Sequence, residues 1–204
     1  MTIALRVYTR KHEGGTLVSQ AQTATDLQLP SGRWVIDPSH TEVGFVGRHF
    51  GLTKIRGRFL GVTGTVTVHD DLSASTVAVD IDMATVSSGD QARDDHLRSA
   101  DFFDVGEHPR ASFRSTSLDV DGTRAVLIGD LTIKDVTQRV RLEVDYLGHT
   151  VDPWSNERAV FAARGRINRE DWGLTWNLLL DTGGLLVSKE ITIELDLELI
   201  KEPA

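Results

Sequence analysis

The feature that most constrains this chain is a strict alternation of apolar and polar residues near its C-terminus. Five apolar residues at odd positions are separated by polar ones: Ile191, Ile193, Leu195, Leu197 and Leu199. A period of two is the mark of a β-strand with one buried face. The pattern predicts a strand over 186–200, on the order of 50 Å long at about 3.3 Å per residue.

The same alternation recurs in seven further segments. They lie near 43–49, 57–68, 77–83, 110–118, 124–133, 140–146 and 158–168. Eight long antiparallel strands can hide their apolar faces as two packed sheets or as a closed barrel, and closure also removes the exposed edges. We therefore expect an all-β, eight-stranded antiparallel barrel. One short helix is expected near 89–98, where Ser88 to Gln91 has the Ser-x-x-Gln form of a capping box.

Small residues on the inward side of the middle strands favour a hollow barrel. They are Gly47, Ala111, Ser115, Ala125, Gly129, Ala163 and Gly165. An eight-stranded barrel either fills with side chains or holds one small ligand, and small inward residues leave space. The expected apolar lining of this elongated cavity is Phe45, Phe59, Met83, Leu97, Phe102, Phe103, Phe113 and Phe161. In a filled barrel the same residues would form the core.

Composition excludes several classes of function. The net charge of −8 argues against nucleic acid or an anionic membrane surface as a partner. The absence of cysteine excludes disulfides and thiolate sites. No window has the roughly 18–20 apolar residues of a membrane span, and the first residues lack the apolar core of a signal peptide. We expect a cytoplasmic protein with an N-terminal extension over 1–32 and one domain over 33–204.

Motifs for catalysis are absent from the sequence. It contains no His-Glu-x-x-His, His-x-His or Gly-x-Ser-x-Gly, and no phosphate-cradling glycine loop before a helix. The prediction is therefore a protein without catalytic residues, metal ligands or a cofactor. The alternative left open is a metal-assisted hydrolase or isomerase built on Asp94, His96 and His108, the densest group of metal-ligand types.

His49 shares its parity with Val43 and Phe45, so it points inward near a strand end. Two interpretations are open. His49 either hydrogen-bonds a ligand headgroup at the cavity mouth, or it is a core histidine satisfied by backbone or water.

Several blocks, in order, resemble the YceI-like lipid-binding family over roughly 33–200. They are Trp34-Val35-Ile36-Asp37-Pro38-Ser39-His40-Thr41-Glu42-Val43-Gly44-Phe45, Gly57-Arg58-Phe59, Arg93-Asp94-Asp95-His96-Leu97-Arg98-Ser99-Ala100-Asp101-Phe102-Phe103-Asp104-Val105, Gly129-Asp130-Leu131-Thr132-Ile133 and Gly165-Arg166-Ile167-Asn168-Arg169-Glu170-Asp171-Trp172-Gly173-Leu174-Thr175-Trp176-Asn177. One departure is Asp135, which stands where the family is expected to have glycine. Residues 1–32 lie outside the resemblance.

The resemblance implies a lipocalin-like barrel whose tunnel carries or sequesters a long isoprenoid lipid, of the quinone or polyprenyl pyrophosphate type. Arg93, Asp94 and His96 belong to a family-like segment whose helix is expected to border the opening, and with His49, placed by its parity, they form the expected polar mouth. For Arg93 and Asp94, a structural ion pair or helix cap is the competing interpretation. No stable membrane insertion is expected, and a homodimer is possible in principle. A third alternative is a filled structural barrel that acts through dimerisation.

Overall fold

Extended strands dominate the fold, which is a computed structural model describing residues 26–180 and 184–203. The strands are β1 Gly32–Ile36, β2 Glu42–His49, β3 Thr53–Val68, β4 Thr76–Ser87, β5 Arg110–Asp121, β6 Arg124–Ile133, β7 Val136–Val151, β8 Glu157–Asn168, β9 Leu179–Leu180, β10 Gly184–Leu185 and β11 Glu190–Lys201. One α-helix, α1 Gln91–Arg98, follows β4, and short 3-10 turns cover Leu72–Ala74 and Arg169–Trp172.

The main sheet closes on itself. Neighbours in the order β2-β3-β4-β5-β6-β7-β8 pair antiparallel, and β11 joins β8 to β2. The closing ladder between β11 and β8 is continuous from Glu190 opposite Asn168 to Ile200 opposite Arg158. The result is a closed eight-stranded antiparallel barrel with one helix, which confirms the predicted fold class.

Strand β1 was not predicted, and it shares one position in the barrel with β2. Trp34 of β1 lies opposite Lys201 of β11 and Val66 of β3, while Val43 of β2 lies opposite Leu195 and Phe59 of the same two strands. The two strands are therefore one wall element, interrupted by residues 37–41. In the sequence, the two short apolar runs before and after this interruption do not indicate that they occupy a single strand position.

The C-terminal strand is shorter than predicted. It begins at Glu190, not at Leu186, because groups from other segments form the backbone hydrogen bonds of residues 186–188. The Asn177 side chain bonds both the N–H and the carbonyl of Val187, at 3.1 and 2.7 Å. The Ser188 N–H donates to Arg48 O at 2.9 Å. The hairpin that contains β9 and β10 thereby joins the end of the barrel.

Helix α1 lies within the predicted range, but its cap is different. Asp90, not Ser88, accepts the Arg93 N–H at 2.9 Å and is the N-cap. Gly89 has a φ of +79°, and this left-handed turn separates Ser88 from the helix. Arg98 donates to the carbonyls of Ala84 and Val86, at 2.8 and 2.7 Å, and so ties α1 to β4.

The β6–β7 turn accommodates the departure at Asp135. Lys134 and Asp135 have φ values of 49° and 61°. Both lie in the left-handed region that Asp tolerates better than most residues, so the turn survives without glycine.

The segment that precedes β1 crosses one end of the barrel. Trp34 Nε1 donates to Pro30 O at 3.1 Å, whereas the Leu27 N–H donates to Gly122 O at 2.9 Å in the β5–β6 turn. The β5–β6 turn lies across the barrel from β1. Leu29 packs against the core between these anchors. Part of the predicted N-terminal extension is thus an end cover, while residues 1–25 lie outside the described residues.

A buried ion network fastens the interruption between β1 and β2. The Arg158 guanidinium contacts Asp37 at 2.8 Å and Asp152 at 2.7 Å, and it also pairs with Glu198. His40 Nδ1 lies 2.9 Å from Asp37 Oδ2. Asp37, His40 and Glu198 are close enough together to hold a cation. Because Arg158 already donates to both carboxylates, the group is a structural network.

Asp37→Asn tests this network. Burial alone raises the pKa of Asp37, but hydrogen bonds from Arg158, His40 and Ser39 outweigh it and lower the pKa from 3.8 to about 2. Ionised Asp37 therefore stabilises the fold above about pH 4, and this contribution is lost as the pH falls towards 2. We expect urea denaturation at pH 7 to show a loss of about 2 kcal/mol, which shrinks at pH 3. Asp119→Asn, an exposed change on β5, is the control; an equal loss at both pH values would contradict the prediction.

Candidate ligand-binding site

The barrel encloses an elongated cavity of about 1090 Å³. It runs from Leu27 and Leu29, at the covered end, to α1, Leu174, Trp176, Leu186 and Val187 at the other. Strands of 12 residues span about 40 Å, so the cavity is a tunnel along the barrel rather than a surface cleft. Its volume is at the upper end of the range of small-molecule pockets, and its walls are predominantly apolar.

The predicted apolar residues all lie on this tunnel. Phe45, Phe59, Met83, Leu97, Phe102, Phe103, Phe113 and Phe161 are each in its wall. Of the small inward residues, Gly47, Ala111, Ala125 and Ala163 also line it, whereas Ser115, Gly129 and Gly165 do not. Larger side chains cover Gly129 and Gly165, and the Ser115 hydroxyl accepts the Val77 N–H at 2.8 Å.

Glycines form recesses for rings and for one leucine. A Cβ on Gly57 would lie 2.3 Å from the Phe45 ring, and one on Gly129 would lie 2.3 Å from the Phe113 ring. Leu142 covers Gly165 in the same way, at 2.7 Å. Phe45 and Gly57 are direct cross-strand partners. Because the rings lie against the wall at these positions, they leave the middle of the tunnel open.

The ionisable residues of the tunnel gather at the end opposite residues 26–31. His49, Arg93 and His96, three of the four predicted mouth residues, lie on its wall there. Asp94, the fourth, is buried but is not on the wall. Its carboxylate accepts the Ser88 N–H at 2.7 Å and also the Ser88 hydroxyl. The structure thus places Asp94 beneath the mouth, where it joins α1 to the Ser88 turn, while the N-cap of the helix is Asp90.

Arg93 is held by the same turn. Its Nε donates to the Ser88 hydroxyl at 2.7 Å and its Nη2 to the Ser88 carbonyl at 2.9 Å. The rings of His96, Phe102 and Trp176 pack against one another, with centroids 4.5 to 5.3 Å apart. The helix therefore contributes one charged group, Arg93, and one ring, His96, to the mouth, while Phe102 and Trp176 come from other segments.

The three residues of the alternative enzyme site have separate partners. Asp94 bonds Ser88, His96 Nε2 lies 2.9 Å from Asp101, and His108 Nδ1 lies 3.0 Å from Asp135. Among the described residues, Asp94, His96 and His108 do not form a metal-ligating group. The geometry gives the metal-assisted hydrolase or isomerase no assembled centre at these positions.

Three further cations at the mouth were not predicted from the sequence. They are Lys54, Arg56 and Arg169, which also line the tunnel. Arg169 follows Ala163, Gly165 and Ile167 on the same parity of β8 and its extension, so the alternation did carry a signal for it. Lys54 and Arg56 lie on the outward parity of β3, and only the opening of the barrel beside them brings them to the tunnel.

An apolar rim surrounds this opening. It consists of five exposed side chains: Phe50, Leu52, Leu178, Leu179 and Leu185. The Phe50 N–H donates to Leu186 O at 2.9 Å, which joins the β2–β3 turn to the hairpin. Within the described part of the chain, no helix has the length and apolar content that a membrane crossing requires.

Comparison with known proteins identifies the family. The YceI-like domain profile matches residues 34–199. The chain belongs to the YceI-like family. Protein YceI of Escherichia coli O157:H7 is 38% identical over 140 residues, which make up 68% of this chain and 73% of that protein.

Solved structures share this YceI-like fold. BcnA of Burkholderia cenocepacia matches with a TM-score of 0.70 at 22% identity, covering 80% of this chain and 98% of BcnA. A polyisoprenoid binding domain from Saccharophagus degradans gives 0.61 at 15% identity, covering 83% of this chain and 98% of that domain. At these identities the likeness establishes the common barrel.

Gly57→Ala tests the recess beneath Phe45. The three atoms nearest to the new methyl group all belong to the Phe45 ring, so the ring must swing into the tunnel. We expect a destabilisation of about 1–3 kcal/mol, the usual cost of overpacking, and a smaller tunnel. In a double-mutant cycle, Phe45→Ala should relieve most of the effect of Gly57→Ala, as measured by urea denaturation. Additive effects of the two substitutions would show that the recess does not hold the ring.

Proposed function

We propose that this protein binds one long isoprenoid lipid in its tunnel and carries or sequesters it without chemical change. The observation that carries the proposal is a tunnel of about 1090 Å³ with apolar walls and with its ionisable groups gathered at one end. That arrangement fits an amphiphile with a long apolar tail. Membership of the YceI-like family and the fold shared with a polyisoprenoid binding domain support it.

The energetics of such binding follow from burial. A chain that removes several hundred Å² of apolar surface from water gains about 25 cal/mol per Å², on the order of 10 kcal/mol before ordering costs. Desolvation and dispersion have no direction, so the walls select the length and width of the chain. Selection of the headgroup depends on the few polar residues at the mouth.

The alternatives from the sequence have less support. A filled structural barrel does not agree with the cavity, and the enzyme alternative lacks an assembled centre among the described residues. The quinone or polyprenyl pyrophosphate identity, the cytoplasmic location and the homodimer stay predictions.

Native mass spectrometry after gentle purification, followed by organic extraction, tests the proposal directly. We expect one long-chain lipid per chain and a rise in Tm when a polyprenol is added to emptied protein. A protein that is repeatedly isolated empty, and whose Tm polyprenols do not change, would overturn the proposal.

Ala163→Phe and Ala162→Phe form a matched pair for the position of the lipid. The two alanines are neighbours on β8, but only Ala163 lines the tunnel. A phenyl group at 163 would displace at least two carbons of a bound chain, each worth about 0.8 kcal/mol. We expect Ala163→Phe to weaken binding of a long polyprenol about tenfold or more, and Ala162→Phe to leave it unchanged. Equal effects in a fluorescence displacement assay would place the ligand elsewhere.

A further inference from the structure

The ionisable residues that line the tunnel are all of basic types. They are His49, Lys54, Arg56, Arg93, His96 and Arg169. No aspartate or glutamate from the described residues joins them on the wall. The whole chain has 30 acidic and 22 basic residues, so the charge at the mouth is opposite in sign to the net charge of −8.

Arg169 differs from the other five because it is almost completely buried, with 3% of its surface exposed. Its Nε donates to Ser188 O at 3.1 Å and its Nη1 to Leu174 O. Its Nη2 is buried and has no hydrogen-bond acceptor among the described residues. The guanidinium carbon lies 5.9 Å from the centroid of the Phe102 ring, which also lines the tunnel.

No described carboxylate neutralises this guanidinium by direct contact. The adjacent Glu170 turns to Lys189 instead, at 2.9 Å. Burial lowers the pKa of Arg169, and the nearby Glu170 charge opposes this only in part. A guanidinium nevertheless stays protonated in proteins. The fold therefore keeps a positive charge in a poorly solvated place with one donor unused.

A buried guanidinium with an unused donor destabilises the fold unless another group accepts the hydrogen bond. A buried charge without a partner costs several kcal/mol, and buried donors without acceptors are rare in folded proteins. Two of the guanidinium nitrogens are fixed by main-chain carbonyls, so the direction of the third is set before any ligand arrives. A guanidinium recognises phosphate and carboxylate better than neutral groups, because its planar donors match their oxygens.

We propose that the tunnel selects a lipid whose headgroup is an oxyanion, either a phosphate ester or a carboxylate, and that the guanidinium of Arg169, at the tunnel wall, is its principal positively charged partner. This inference rests on the proposed function and specifies the headgroup. The remaining cations raise the positive potential at the mouth. They favour an anionic headgroup over a neutral one and exclude an ammonium.

Ligands with one chain and four headgroups test the proposal on the unmodified protein. The set is geranylgeranyl phosphate, geranylgeranoic acid, geranylgeraniol and geranylgeranylamine. We expect at least one of the two anions to bind about tenfold or more tightly than the alcohol, and the amine to bind most weakly. The order of phosphate and carboxylate identifies the source of the oxyanion.

Arg169→Met and Arg166→Met assign the preference to one side chain. Both substitutions remove one positive charge near the end of β8. Arg166, however, points outward, and its side chain is 74% exposed. We expect Arg169→Met to weaken binding of the preferred anion about 10- to 100-fold and to leave geranylgeraniol unchanged. Arg166→Met should change neither. Arg169→Lys keeps the charge without the planar fork and should retain part of the preference.

The outcomes distinguish a failure of the oxyanion proposal from a failure of the lipid-binding proposal. Equal affinity for alcohol and anions in the unmodified protein overturns the oxyanion proposal and leaves the lipid-binding proposal intact. Failure of all four ligands to bind counts against the lipid-binding proposal itself. If Arg169→Met weakens alcohol and anion alike, Arg169 only supports packing and the proposal is wrong. If Arg169→Met does not fold, the four ligands and Arg169→Lys still give the answer.

Discussion

The closing ladder between β8 and β11 is the interaction on which the rest of the structure depends. It pairs residues 158–168 with 190–200 without a break, and β11 then pairs with both β1 and β2. An open eight-stranded sheet would expose two edges and would have to fold over to hide its apolar face. Closure instead places the apolar face in the interior of the barrel. The tunnel, its mouth and the end cover are all defined by this one pairing.

Much of this fold could be predicted because side-chain parity in a strand survives tertiary folding. The odd positions of β6, from Ala125 to Ile133, are buried in turn, as the alternation of the sequence requires. The same parity directed Phe45, Phe59, Met83, Phe113 and Phe161 inward, and all five lie on the tunnel wall. Their contact with a ligand stays a prediction. The ends of the strands were harder to predict from the sequence. The start of β11 depends on Asn177, a side chain from another segment, and no local pattern indicates that competition.

The mouth was predicted less completely than the wall for a related reason. His49, Arg93 and His96 were placed there from parity and from a family-like segment, and the structure puts them on the tunnel. Asp94 belongs to the same segment, but one helical turn directs it towards Ser88. Arg169 has the inward parity, but charged residues at strand ends are usually solvated, so parity alone does not predict its burial. Its 3% exposure distinguishes it from Arg164 and Arg166 of β8, whose side chains are 64% and 74% exposed.

Residues 26–31 lie across one end of the barrel, and this has a consequence for rates. A chain held in a tunnel with one usable end must leave by sliding back along its whole length, so each added methylene must be exposed to water before release. At about 0.8 kcal/mol per methylene, every extra carbon slows escape roughly fourfold. Residence time would then rise exponentially with chain length. A barrel of this kind therefore distinguishes lipids of different chain length by their residence times.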